Sequence, residues 1–223
     1  KLRPLESIDA CPSSVDRGLL IHKALEIFVN GLHEKTNELD AFEKLVSIGE
    51  KIFENSKNYP GVRAFWWPRF LRVAKWFVGF ELNRRKAGIK TLGTESRGRI
   101  VILENINPFT LTARVDRIDC LPNGSLVVID YKTGVLPSSK QVVSGLTPQL
   151  LLEALIIQSG GISEIQEKKV CEIAYVRLSG GREPGQLKKL EIDLNVAIEK
   201  TLEGLRQMIL QFDSSDTPYL SRP

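Results

Sequence analysis

Residues 110–132, TLTARVDRIDCLPNGSLVVIDYK, decide how the rest of this 223-residue chain is read. Two runs rich in β-branched residues flank the turn signal Pro122-Asn123-Gly124, a pattern that predicts an antiparallel hairpin. On its second arm Leu126, Val128, Asp130 and Lys132 share one face, and Val127, Ile129 and Tyr131 the other. The turn decides whether Asp116 of the first arm joins them. A three-residue loop, Pro122 to Gly124 with Gly124 left-handed, sets Asp116 opposite Asp130, whereas a two-residue Asn123-Gly124 loop turns Asp116 to the other face. The odd-length loop, or an equivalent bulge, is the expectation. Two carboxylates and a lysine on one sheet face cost several kcal/mol unless something satisfies them, and a divalent cation does so most simply.

A chain of this length can bury one substantial core with a helical annex, but hardly two full domains. The only methionine is Met208, so a chain opening at Lys1 is expected to be a processed product or, by preference, a piece of a longer polypeptide. Net charge is +4, from 31 basic and 27 acidic residues, which permits a nucleic-acid partner without demanding one. Arg69, Arg72, Lys75, Arg84, Arg85 and Lys86 cluster, and a solvated helix face is the ordinary reading of such a run. Cys11, Cys120 and Cys171 are odd in number and widely spaced, which indicates neither a disulfide framework nor a metal knuckle. No apolar run approaches the roughly 18 residues of a membrane span and no signal peptide is visible, so a soluble, cytoplasmic protein is expected. Asn123-Gly124-Ser125 fits a glycosylation pattern but reads as a turn.

Outward from the hairpin, Lys1 to Asp16, interrupted by Pro4 and Pro12, reads as an extended lead-in. A helix begins near Val15, capped by Ser13 or Ser14, with the stripe Ile21, Ala24, Leu25, Phe28, Val29 and Leu32. His22 sits beside that stripe; such a histidine is ordinarily a packed residue, with a ligand role as the alternative, and His33 has less claim to one. A second helix spans Glu38 to Ser56, with Phe42, Leu45, Val46, Ile52 and Phe53 inward, and is broken at Asn55 to Gly61. Val62 to Lys86 carries aromatics at helical spacing, with Pro68 a kink or a new start; they are core rather than base-stacking residues on this spacing.

From Thr91 the period changes to two, and Glu95 to Leu103 reads as a strand, with Glu95 either an edge glutamate or an additional acid. Beyond the hairpin, Thr133 to Ser144 is a loop. Thr147-Pro148 starts a helix that ends at Gly160-Gly161, Thr147 capping and Pro148 in the first position, with Leu151, Ala154 and Leu155 inward and Gln149 and Glu153 one turn apart on another face. Lys169 to Ser179 is a strand, Gly180 to Gly185 a turn and Lys188 to Ile192 a short strand. The last helix, Asn195 to Phe212, turns Ile198, Leu202, Leu205, Ile209 and Phe212 inward, and the tail from Asp213 is loose. The division expected is a helical part over 1–90 and a sheet-bearing core over 91–223, within one structural domain.

The ordered set GLLIHKALE, ARVDRID, VVIDYKTG and LTPQLLLEA resembles the PD-(D/E)XK nuclease superfamily, and within it the RecB-like branch. DRGLLIHKALEIF, AYVRLSGG and PYLSRP look most like the carboxy-terminal nuclease domains of AddB-type subunits of helicase–nucleases that process double-strand breaks. The resemblance covers nearly the whole chain. It implies an α/β, restriction-endonuclease-like fold: a mixed, mostly antiparallel central sheet flanked by helices, with a helical N-terminal region. Asp116 and Asp130 would ligate Mg²⁺ or Mn²⁺, assisted by the Tyr131 carbonyl and His22. Lys132 would orient and help deprotonate the attacking water, and Gln149 would hold the site or the scissile phosphate; Glu153 stands where the family has a tyrosine. DNA, as unwound single strands, and an AddA-type subunit are the partners implied. Cys11, Cys120 and Cys171 do not match the four-cysteine arrangement of some relatives, so no iron-sulfur cluster is expected. The other class of function is a catalytically silent DNA-binding or subunit-docking module that keeps the fold.

Overall fold

In the computed structural model, residues 13–54, 59, 62–103, 108–165 and 169–218 are described, those at 62 and 63 by backbone alone. The lead-in with Pro4, Cys11 and Pro12, most of the break at 55–61 and the end of PYLSRP lie outside them. The elements run α1 Ser14–Gly31, α2 Glu38–Phe53, a π-helical turn Val62–Trp66, α3 Trp67–Lys86, β1 Lys90–Ile102, β2 Phe109–Cys120, β3 Leu126–Lys132, α4 Ser139–Val143, α5 Gln149–Gln158, β4 Val170–Arg177, β5 Gln186–Lys189 and α6 Leu194–Asp213. The five strands form one sheet in the order β1-β2-β3-β4-β5. β1 to β3 are antiparallel. β3 and β4 run parallel, since Leu126 N–H donates to Lys169 O near both starts and Leu178 N–H to Lys132 O near both ends. The sheet is thus mixed, as expected. The chain divides into two compact units: Lys1–Gly88 with Tyr131–Val135 and Val176–Leu187, and Ile89–Asp130 with Leu136–Tyr175 and Lys188–Pro223.

The first unit is built on α1 to α3. Ser13 caps α1, accepting from the Val15 and Asp16 amides, while the Asp16 carboxylate accepts from Ser13 N–H, completing a capping box. The expected stripe from Ile21 to Leu32 is buried. In α2 the buried positions are Ala41, Leu45, Gly49 and Phe53, with Phe42, Val46 and Ile52 only half-buried. Gly49 lets Phe70 of α3 lie against the helix backbone; a Cβ there would meet the Phe70 ring at 2.1 Å. Pro68 begins α3 rather than kinking it. Arg85, one of the clustered cations, departs from the solvated reading. Its Nη1 and Nη2 donate to the Leu32 and Val29 carbonyls, at 2.9 and 3.2 Å, and its Nε to the buried Glu81 at 2.7 Å. A cation thereby bonds carbonyls at the end of α1, with a buried counter-charge behind it.

The second unit packs its strands against α5 and α6. In α5, Leu150, Leu151 and Ala154 to Ile157 are buried, so the helix is enclosed on most sides rather than along one stripe. Gly160, at φ 69°, ends the turn that follows it. Four expectations change here. Thr147 does not cap α5: Pro148 occupies that position and no side chain bonds the first amides. The segment 133–144 contains the short helix α4, which a Ser138–Gln141 capping box nucleates. The last strand is Gln186–Lys189 rather than Lys188–Ile192. In α6 only Ala197 and Ile198 are buried; Leu202, Leu205 and Ile209 are half-covered and Phe212 is exposed.

Candidate active site

The hairpin turn has the three-residue form. Leu121 N–H donates to Ser125 O and Gly124 N–H to Leu121 O, both at 2.9 Å, with Gly124 at φ 84°. Cys120 then faces Leu126, Ile118 faces Val128 and Arg117 faces Ile129, where the paired ladder ends, one residue short of Asp116 and Asp130. On its other side β2 pairs with β1, Thr94 opposite Arg117 and Ser96 opposite Val115, which sets Glu95 against Asp116. β1 and β2 thus carry an acid at one level. Carboxylate oxygens of Glu95 and Asp116 come within 4.8 Å of each other.

The backbone is distorted at that level. Glu95 adopts φ 51°, a region a non-glycine residue occupies at a cost of order 1–3 kcal/mol. Leu111, Ala113 and Val115 pack on the same core as Ile118 and Cys120, so the alternation of β2 is broken between Val115 and Ile118, beside Glu95. Arg114 Nε holds Glu95 Oε2 at 2.7 Å. Glu95 is therefore no free edge residue.

Asp130 and Glu153 are buried, 1% and 2% exposed. Gln149, exposed at the start of α5, donates from its amide nitrogen to Asp130 Oδ1 at 2.7 Å and to Glu153 Oε1 at 3.0 Å. The sequence spacing anticipated the second of these bonds; the first needs the strand beside the helix. Tyr175 of β4, 1% exposed, completes this group. Burial, and after it the negative charges of Asp130 and Glu153, push its phenol up to about 12. Neither Tyr175 nor the burial of Glu153 was anticipated, and an apolar strand and an amphipathic-looking helix carry no signal for them. Arg117 and Asp119 form a separate buried pair at 2.7 Å, Arg117 also donating to Thr91 Oγ1 at 2.8 Å.

In the first unit, His22 Nε2 lies 2.9 Å from the carbonyl oxygen of Tyr131, the residue that follows Asp130. Its ring meets the Tyr131 ring edge-on at 5.7 Å, and Tyr131 in turn meets Phe77 at 5.8 Å. A Cβ on Gly18, one turn before His22, would lie 3.5 Å from Thr133 Oγ1, so α1 runs close to the segment that carries Lys132. Lys132 is half-buried at the end of β3, and strand alternation sets it on the same side as Asp130. His33 is exposed.

Relatives were found among curated proteins: an uncharacterised protein of Rickettsia bellii, 26% identical over 222 residues, covers 94% of this chain and 26% of its own length. Uncharacterised proteins of Rickettsia conorii and Rickettsia felis are each 28% identical, over 73% and 76% of the chain. The chain spans about a fifth to a quarter of the length of these relatives. Among solved structures, the crystal structure of SSO0001 is 14% identical, with a TM-score of 0.35, over 88% of this chain and 87% of that one. No helix among the described residues is long and apolar enough to cross a membrane. Residues 1–220 match the family model of the PD-(D/E)XK nuclease superfamily, the same superfamily whose Asp and Asp-x-Lys signature the hairpin carries, and the protein belongs to it.

Proposed function

We propose that this chain is a divalent-metal-dependent DNA nuclease domain. Asp116 and Asp130 would hold the ion, His22 and the Tyr131 carbonyl would complete its ligands, and Lys132 would serve the attacking water. The observation that supports this reading is the hairpin register, whose pairing runs from Cys120–Leu126 to Arg117–Ile129 and so ends one residue short of Asp116 and Asp130, in a chain of this superfamily.

The donor set fits a hard ion. Carboxylates predominate, and Glu95 stands close enough to Asp116 to add a third. The 2.9 Å between His22 Nε2 and Tyr131 O equals the spacing of two neighbouring ligand atoms on an octahedral ion with bonds of about 2.1 Å. An imidazole among oxygens accommodates Mn²⁺ as well as Mg²⁺. When bound, such an ion acidifies water and offsets negative charge building on the phosphate.

Phosphodiester hydrolysis needs upwards of about 20 kcal/mol removed from its barrier, of which positioning supplies roughly 7 to 11, so charge stabilisation must supply the rest. Lys132 contributes a cation that orients the attacking water and takes part in its deprotonation. Gln149 fixes the Asp130 carboxylate through its 2.7 Å bond, which supports a positioning role for it. The surplus of acids over lysine at the site favours a metal over a plain ion pair.

On the resemblance to AddB-type domains, the reaction takes place on single strands in the cytoplasm. An AddA-type helicase–nuclease subunit would deliver them during double-strand break repair and recombination. Asp116→Asn, Asp130→Asn and Lys132→Ala should each reduce Mg²⁺-dependent cleavage of end-labelled single-stranded DNA to background while the circular dichroism spectrum is kept. Cleavage undiminished in a folded Asp130→Asn protein rejects the reading. Calorimetric titration separates it from a silent docking module, which would show no specific Mg²⁺ or Mn²⁺ site.

A further inference from the structure

We propose that the outer face of the β1–β2 ribbon, carrying Arg97 and Arg99, binds the phosphodiester backbone of a nucleic acid without a metal. This rests on the nuclease reading and adds a surface to it. Gly98, between the two arginines, faces α5: a Cβ there would stand 2.6 Å from Ile156 Cγ2 and 2.8 Å from Ile162 Cγ1. Alternation therefore turns Arg97 and Arg99 to the opposite side, and both are exposed. Across the ladder Arg114 faces Arg97 and Thr112 faces Arg99.

Like charges directly opposite each other on neighbouring strands are destabilising. Arg114 is paired with Glu95, while among the described residues no carboxylate pairs with Arg97 or Arg99. A groove of about 770 Å³ brings these three arginines together with the Thr112 and Ser163 hydroxyls and the Gly160-Gly161 backbone. Among the described residues no aspartate or glutamate lines this groove, although the chain holds 27 acids to 31 bases.

Single charges on an edge strand are common protection against strand pairing. Three arginines around one groove, with no acid among its described lining residues, go beyond that need and match a polyanion. Arg97 and Arg99 are about 6.8 Å apart along the strand, comparable to successive phosphates of an extended nucleic-acid strand. Guanidiniums and hydroxyls are the donors that phosphate oxygens take most often, and such contacts carry no base sequence.

Fluorescence anisotropy of a labelled 20-nucleotide oligothymidylate, and of a duplex of equal length, measured in EDTA with the full chain, tests this. For two lost phosphate contacts, Arg97→Ala/Arg99→Ala should flatten the log–log salt slope by about 1.4 on the single strand and about 1.8 on the duplex. Between 50 and 200 mM salt, the single-strand affinity of the unmodified chain should fall about 7-fold more than that of the variant. Arg97→Lys/Arg99→Lys should keep the slope. The duplex arm shows which form the surface takes. An unchanged slope in the alanine variant overturns the proposal, as does an oligoglutamate peptide binding through these arginines as tightly as DNA. Neither result touches the Asp130→Asn cleavage test, so the surface and the nuclease reading fail separately.

Discussion

Replacing Gln149 by methionine keeps the length and flexibility of the side chain and removes its amide. Two bonds are lost, to Asp130 at 2.7 Å and to Glu153 at 3.0 Å, each from one nitrogen to a carboxylate almost wholly out of water. Hydrogen bonds to charged groups contribute about 1.5–3 kcal/mol each. Gln149 itself is exposed, so water replaces part of what it gives, and the expected loss at pH 7 is about 2–4 kcal/mol. The amide also separates two acids of like charge. The assay is urea unfolding in EDTA at pH 7, followed by circular dichroism and by hydrogen exchange of the α5 amides. Tryptophan fluorescence is unsuitable because Trp66, Trp67 and Trp76 all lie in the first unit. A loss below about 0.5 kcal/mol at pH 7 would refute the assignment of Gln149 as the bridge between these carboxylates.

Tyr175→Phe should change alkaline stability. The folded phenol is raised from 10.0 to about 12, so its neutral form contributes stability that is whole below pH 10 and lost as the pH climbs towards 12. That amounts to about 2–3 kcal/mol, and the phenylalanine variant should lack this component of the decline in urea midpoints between pH 9 and 12. Gly49→Ala puts a methyl 2.1 Å from the buried Phe70 ring, which Phe53 and Trp67 hold at centroid distances of 5.2 and 5.5 Å. Overpacking of about 1–3 kcal/mol outweighs a helix-propensity gain of at most about 1, so the urea midpoint should fall; a rise would contradict the packing. Mn²⁺ at 100 times its dissociation constant should stabilise the protein by about 2.7 kcal/mol, seen as a higher melting temperature, and Asp116→Asn should remove that gain.

The hairpin, the stripe of α1 and the end of α5 were legible in the residues because each follows from neighbours in the chain. Gly124 takes a φ that other residues avoid, Ser13 caps the amides just beyond it, and the odd-length turn fixes the pairing as far as Arg117 and Ile129. That local reasoning also paired Gln149 with Glu153. It stopped where a side chain's role depends on what lies across a strand or beyond a turn. Glu95 is set beside Asp116 by a neighbouring strand and a left-handed backbone, Tyr175 comes from β4, and Arg85 closes the end of a helix 53 residues earlier in the chain. Burial decided the rest. Glu153 is written like a surface glutamate and is enclosed, while Phe212 is written like core and stays exposed, because which face meets a partner depends on elements that pack from elsewhere in the chain.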